Sequence, residues 1–292
     1  MDIAYLRRHP DHLPTFLTHQ RIRETPVPGG GTCTARRLTL DDGHSVFAKS
    51  WPAGAGPAPD GLFAAEAAGL RWLGEAGAVP VPGVLTALPE LLALDWVEPG
   101  APTAAGAEEL GRGLAALHAA GAPAFGAAWP GWIGGLPLDN TAGAGPWGPW
   151  FARRRLDPYL RRAADAGALS PADVAAVERV RDRIGAYGGD EPPARLHGDL
   201  WPGNVLWAAD GRAWLVDPAA HGGHRETDLA TLALFGGLPH LDRLLAAYAE
   251  AAPLADGWRD RVPLHQLHLL LVHAALFGAG YAGAVRAAAD RL

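Results

Sequence analysis

Along residues 33–50 hydrophobic and polar positions alternate, and Asp41-Asp42-Gly43 interrupts the run. Period-two alternation sends successive side chains to opposite faces, so the pattern predicts two strands, 33–40 and 44–50, joined as a hairpin. The period then changes. In 61–75, Leu62, Ala65, Gly69 and Trp72 recur at the spacing of one helical face, with Glu66 beside them. Residues 84–88 and 91–97 read as two more strands. At 98–102 the sequence Glu-Pro-Gly-Ala-Pro stops the strand. Beyond it, helical periodicity dominates in 104–120, 150–166, 170–185, 227–235, 238–251 and 264–277. Ser170-Pro171 marks a helix start, a capping side chain followed by Pro at the first helical position. A short helix at 2–9 and a Gly-, Pro- and Trp-rich loop region over 121–149 complete the pattern. The expectation is an α+β chain of two lobes, a small β-rich lobe (1–97) and a larger, mainly helical lobe (98–292), without internal repeats.

Composition narrows the partners. The 292 residues are enough for a real core, and 38 Gly with 26 Pro stay just below the content of disordered chains. A formal charge of -6 gives no pull toward phosphate backbones or anionic lipid, so small-molecule partners are expected and nucleic acid is not. Cys33 is the single cysteine. That excludes an intramolecular disulfide framework and, with no apolar leader run, points to a reducing, cytoplasmic compartment and a monomer or weak homodimer. Residues 263–285 lack Asp, Glu, Lys and Arg and are long enough to span a membrane. His265, Gln266, His268 and His273 would need partners inside lipid, so a buried helix of a soluble domain is expected instead, with no membrane partner.

Scarcity singles out the chemistry. Of 25 Lys and Arg residues only Lys49 is Lys, and Asn140 and Asn204 are the only asparagines. An ammonium is a compact point charge that a planar guanidinium does not replace, so a lone Lys on a predicted strand is a candidate functional residue. The segment 195–218, RLHGDLWPGNVLWAADGRAWLVDP, carries His197, Asp199, Asn204 and Asp217. Its apolar β-formers flank an Asp210-Gly211 turn, which predicts a loop, a hairpin, and an acid where the second strand ends. That folds Asp217 back toward Asp199 and Asn204, and converging oxygens suit Mg²⁺. Loop, hairpin and Asp form the catalytic half of a kinase-type phosphoryl-transfer site, whose other half is a strand Lys paired with a helical Glu. Lys49 and Glu66 answer that demand.

The chain resembles the fructosamine kinases (ketosamine 3-kinases), a branch of the protein-kinase-like fold related to aminoglycoside and choline kinases. The resemblance rests on HGDLWPGN (197–204), VDPAAHGGHRETDLA (216–230), LFGG (234–237), LGRGLAALH (110–118), WIGGLPLDN (132–140) and WFARRRLDPYL (150–160). It implies ATP and Mg²⁺ as cofactors and phosphorylation of a sugar hydroxyl, typically O3 of a ketose joined to an amine, whose unstable product sheds its sugar. In these roles Asp199 positions the hydroxyl and accepts its proton. Asn204 and Asp217 hold the metal. Lys49, oriented by Glu66, meets the phosphates, and Gly29, Gly30 and Gly31 bring backbone amides to them. The backbone of Asp95, Trp96 and Val97 meets adenine. Trp201 offers a face to the sugar, and His273 is either a cleft residue or a satisfied core histidine. His197 and Asp228 support the catalytic loop. Leu138 stands where the family often has Gln. Cys33 is either an apolar filler or, if the turn's amides lower its pKa, an oxidisable thiol. Two other functions compete: a kinase of another small alcohol such as an aminoglycoside, whose pocket should be acidic, and a nucleotide-binding pseudokinase.

Overall fold

The computed structural model describes residues 22–28, 31–143, 145–187 and 191–292. The expected helix at 2–9 lies outside them. Five strands, β1 (Arg23–Pro26), β2 (Thr34–Thr39), β3 (Ser45–Ser50), β4 (Val84–Leu88) and β5 (Leu91–Asp95), form one antiparallel sheet in the order β1-β2-β3-β5-β4. Alternation along β3 decides the site. Val46 and Ala48 join Leu38, Leu85 and Ala93 on one face of the sheet. Phe47 packs on the other, with helix α1 (Leu62–Glu75). Lys49 shares Phe47's face and is therefore aimed at α1. On α1 the buried residues Leu62, Phe63, Ala67 and Leu70 make an inward stripe, and Glu66 falls within it. A carboxylate in that position needs a cationic partner.

Beyond β5 the chain is mainly helical: α2 (Ala104–Ala119), α3 (Trp147–Phe151), α4 (Asp157–Asp165), α5 (Pro171–Asp182), α6 (Glu226–Thr231), α7 (Leu241–Ala251), α8 (Trp258–Phe277) and α9 (Ala282–Ala289). Three short antiparallel pairs lie among them. These are β6 (Gly131–Ile133) with β7 (Leu136–Leu138), β8 (Ala194–Leu196) with β11 (His221–Gly223), and the expected hairpin of β9 (Val205–Trp207) and β10 (Ala213–Leu215). Ser170 and Asp173 close a reciprocal capping box on α5. One apolar core joins α3, α4, α5, α8 and α9 through residues such as Phe151, Tyr159, Val177, Leu267, Leu271 and Val285. A second fills the space between α2, α7 and the β9–β10 hairpin, with Leu110, Leu114, Val205, Leu215 and Leu244.

The departures from the sequence pattern have physical causes. The helix expected over 150–166 is three pieces, because a π turn, Ala152–Leu156, intervenes and α4 restarts with Pro158 in its first turn. The helix expected over 227–235 stops at Thr231, since Phe235, Gly236 and Gly237 all take positive φ. The strand expected to reach residue 97 ends at Asp95. No helix among the described residues is long and apolar enough to cross a membrane. The polar side chains of α8 find partners within the protein. Gln266 Nε2 donates to Ala230 O (2.8 Å), His268 Nδ1 to Arg155 O (2.9 Å), and His265 Nδ1 bonds Thr227 Oγ1 (2.9 Å).

Burial makes this core sensitive to acid. His197, His221, His224, His265 and His268 are all held below the ordinary imidazole range, chiefly by burial, with His224 and His268 down to about 3. His224, Glu226 and His265 bring potential ligand atoms within 4.8 Å of one another. Glu226 is already committed to Arg261 (2.6 and 2.9 Å), and its backbone N–H donates to His224 Nδ1 (3.3 Å). Burial would raise Glu226, but hydrogen bonds from His265 and Arg261 bring it down to about 2. Its contribution to stability therefore persists down to pH values below the ordinary carboxylate range. The histidines behave differently. Their folded pKa lies below the unfolded value near 6.5, so between the two the unfolded chain holds more protons and stability falls as pH falls. From pH 7 to pH 5, His224 and His268 alone should lower the unfolding free energy by about 4 kcal/mol. Glu66 and Asp199, both raised by burial, pull the other way over this range. The check is therefore urea unfolding of the wild-type chain against a His224→Phe/His268→Phe variant at the two pH values, and an identical pH dependence of the two would refute it.

Candidate active site

Lys49 Nζ donates to Glu66 Oε2 (2.8 Å) and to Asp217 Oδ1 (3.0 Å), joining strand β3, helix α1 and the residue that follows β10 and Val216. Burial alone would lower the Lys49 ammonium, but Asp217 and Glu66 reverse this and hold it above its ordinary value. Burial and the Asp217 charge push Glu66 up to about 7 against the pull of Lys49, and its Oε1 is buried without a partner. The Asp217 side chain is 36% exposed. Lys49 outweighs its desolvation and keeps its carboxyl below the usual range. Asp217 sits at φ 54, a left-handed conformation that Asp tolerates better than bulkier residues.

The catalytic-type loop hangs from α6. Asp228 accepts the backbone N–H groups of His197 (2.7 Å) and Gly198 (3.0 Å), and Thr231 Oγ1 donates to Leu200 O (2.8 Å). His197 Nε2 bonds Val216 O (2.8 Å), tying this loop to the strand that delivers Asp217. Gly198 has φ +81, and a Cβ there would lie 2.2 Å from Ala219 O, so only Gly fits. Asn204 Nδ2 donates to Asp199 O (2.8 Å), Asp199 Oδ2 (3.1 Å) and Asp217 O (3.4 Å). With its nitrogen so engaged, Asn204 has its amide oxygen left to offer. Asp199 Oδ1 is buried and unpartnered. Burial and the nearby Asp217 charge push the Asp199 carboxyl well above its ordinary range. These oxygens fit a hard divalent cation, the donor set of Asn204 and Asp217 beside an orphaned carboxylate oxygen.

One cleft of about 450 Å³ is lined by Lys49, Glu66, Asp199, Asn204 and Asp217, and also by Asp95, Trp96, Val97, Gly31, Trp201 and His273. Gly29 and Gly30 lie outside the described residues. Val27, Ala35, Phe47 and Leu94 from the sheet lobe, with Leu206 and Val216 from the helical side, give the cleft an apolar slot. Trp96 is turned outward: its Nε1 donates to Glu98 (2.9 Å) and Arg37 covers its ring.

A sequence model of the fructosamine kinase family matches residues 12–292. The chain belongs to the fructosamine kinase family. A probable ketoamine kinase of Thermus thermophilus is 40% identical to this family member over 228 residues, 78% of this chain and 81% of the relative. The crystal structure of a candidate fructosamine-3-kinase from Thermobifida fusca superposes with a TM-score of 0.87 at 52% identity, covering 94% of each chain. A choline kinase from Cryptosporidium parvum shares the fold alone, with a TM-score of 0.62 at 12% identity, covering 99% of this chain and 93% of its own. The two-lobed, protein-kinase-like α+β fold is thus established, and this fructosamine kinase family member is an ATP-dependent phosphotransferase.

One residue of this fructosamine kinase family member carried no signal in the sequence. Arg155, fully buried, donates to Asn140 Oδ1 (2.8 Å) and Asp139 O (2.7 Å) and covers the Trp150 ring at 4.4 Å. Asn140 also lines the cleft. The scarcity of Asn was a signal for Asn140, whereas nothing distinguished Arg155 among so many arginines. Cys33 lines the cleft too, but burial pushes its thiol up despite the Lys49 charge. This removes the lowered-pKa expectation and leaves a protonated, largely apolar filler.

Proposed function

We propose that the chain transfers the γ-phosphoryl group of ATP, with Mg²⁺, to O3 of a ketosamine such as fructosamine or ribulosamine, and that the phosphorylated product then sheds its sugar from the amine. The observation that carries this is the double ion pair of Lys49 with Glu66 and Asp217 in the cleft that also holds Asp199. Residues 1–97 act as the nucleotide lobe and 98–292 as the catalytic and substrate lobe. The apolar slot takes the adenine, with the backbone of Asp95, Trp96 and Val97 along its edge. Lys49, held in place by Glu66, meets the phosphates, and the amides of Gly29, Gly30 and Gly31 approach them. Asn204 and Asp217 hold the cation, which when bound neutralises charge on the transferring phosphoryl group.

Asp199 aligns the substrate hydroxyl and accepts its proton. Its unpartnered Oδ1 is available for that hydroxyl, and its raised pKa suits a group that ends the reaction carrying a proton. His197 and Asp228 act through the loop backbone, as positioning residues. Trp201 and His273 face the sugar. The net charge and the absence of a crossing helix among the described residues support a cytoplasmic enzyme for small molecules. It would act as a monomer or weak homodimer. An aminoglycoside as acceptor is disfavoured, because the α8 residues lining the cleft, Leu269, Val272, His273, Leu276 and Phe277, include no acid to meet a polycation.

The test is ADP release from Mg·ATP with fructose- and ribulose-derived ketosamines, with mass spectrometry of the products. Expected are one phosphate added per ADP formed and later appearance of the free amine. Tight Mg·ATP binding with no turnover across the panel would favour a pseudokinase.

A further inference from the structure

The cleft described above runs from the phosphate end into a wall of rings. Helix α8 contributes Leu269, Val272, His273, Leu276 and Phe277, which fall on one helical stripe. Trp201 meets Phe235 edge-on at 5.8 Å between centroids, Phe235 meets His273 at 4.5 Å, and His273 meets Phe277 at 5.5 Å and Tyr281 at 5.1 Å. The rings thus continue without a break outward from the residue two places after Asp199. Phe235 and Phe277 are 42% and 49% exposed, the exposed large hydrophobics among the described residues. Phe277 lines the cleft, and Phe235 packs on two residues that do, Trp201 and His273; two phenyl rings held open to water there point to an apolar ligand group that covers them.

The backbone supports the same conclusion. Phe235 lies at φ 53, followed by Gly236 at 102 and Gly237 at 77. A bulky residue in the left-handed region is strained, and such strain persists where a function holds it. Here it turns the ring away from the core and toward His273. Charge is distributed to match. Among the described residues the carboxylates lining the cleft are Glu66, Asp95, Asp199 and Asp217, and Lys49 is the Lys or Arg that lines it. None of these comes from α8 or from the loop carrying Phe235. This end of the cleft therefore offers ring faces to a substrate and no ion pair.

We infer that Phe235 and Phe277, which continue the ring wall outward from the sugar-facing Trp201 and His273, form the subsite for the amine-derived part of the ketosamine, and that the enzyme selects ketosamines whose nitrogen carries an apolar or aromatic substituent over those carrying a charged one. The inference rests on the ketosamine reading above and adds the class of amine to it. Burying one substituent ring against these faces corresponds to roughly a ten- to hundredfold gain in kcat/KM, expressed mainly in KM.

The experiment compares the fructose adducts of benzylamine, methylamine and glycine under Mg·ATP. It uses the wild-type chain, Phe277→Ala and Phe235→Asn, since Asn suits a left-handed backbone and should leave the fold intact. A side chain on Gly31 would begin 3.2 Å from the Phe277 ring, so the KM for ATP is measured in parallel to separate effects on the nucleotide end. Expected is a benzyl-to-glycine ratio in kcat/KM of about 30, falling to within about threefold of unity in both variants. Turnover of all three adducts at equal efficiency by the wild-type chain would overturn this inference alone. A ratio that survives both substitutions would do the same. No turnover of any adduct would overturn the ketosamine reading itself and the subsite with it.

Discussion

Replacing Asp199 with Asn should lower kcat by about 10³-fold while the affinity for Mg·ATP stays within a few-fold and the protein becomes more stable. The loss follows from chemistry, because an amide neither accepts the hydroxyl proton nor orients that hydroxyl with a charge-assisted hydrogen bond. The small change in nucleotide affinity follows from geometry: Lys49 pairs with Glu66 and Asp217, and the Asn204 Nδ2 donation to the Asp199 side chain can be kept by the amide oxygen of an Asn. The gain in stability follows from linkage. Burial, then the Asp217 charge, raises the folded-state pKa of Asp199 well above the unfolded one, so at neutral pH the ionised carboxylate opposes folding. Asn has the same shape and removes that opposition. A thermal melt alongside the ADP-release assay tests both halves. Lost activity with an unchanged or lower melting temperature would contradict the burial argument, and retained activity would remove Asp199 from the chemistry.

Arg155→Met should cost about 1–3 kcal/mol of stability, because the neutral acceptors it leaves unpaired outweigh the relief of its own burial. Arg155 is fully buried, and burial pulls its guanidinium down to about 9, with no carboxylate among the described residues bonded to it. Its neighbour Asp139 is taken by Arg154. What keeps Arg155 in place is a set of neutral acceptors, Asn140 Oδ1, Asp139 O and Arg154 O, together with the Trp150 ring. Removing it leaves those acceptors without their donor and loosens the segment after β7 that carries Asn140 into the cleft. Arg155→Lys should recover little, since one ammonium cannot reach carbonyl and amide acceptors as the planar fork does. Urea denaturation gives the stability change, and a higher KM for the sugar substrate is the expected functional trace. A loss below about 1 kcal/mol would show that the core satisfies those groups another way.

What could be read from the sequence follows from how local each signal is. Strands β2 and β3 were legible because a turn and a period-two pattern sit side by side, and α1 because its apolar stripe is continuous. Strand β1 was not, since all four of its residues are exposed and an edge strand with no buried face leaves no alternation. The β6–β7 and β8–β11 pairs have three residues per strand, too few for a period to show, and β8 and β11 find each other across a long stretch of chain. The ion-paired core of the site was legible because rare residue types occurred in a meaningful order. Gly loop, Lys49, Glu66, Asp199, Asn204 and Asp217 together imply a cleft that none of them implies alone. The outer end of that cleft was not legible. The exposure of Phe235 and Phe277 depends on a left-handed turn and on where α8 ends, and neither is written in a local pattern.

The ion-paired Lys49 has one more consequence. It carries the only ε-amine in the sequence, with its side chain 13% exposed and its nitrogen held protonated between two carboxylates. Condensation of a reducing sugar needs an accessible nitrogen with a free lone pair, and the side chains of this protein present none. Apart from a chain-terminal amine, an aldose meets no open primary amine on this polypeptide, so incubation with glucose should leave the Lys49 side chain unglycated in the folded state, as peptide mass mapping would read.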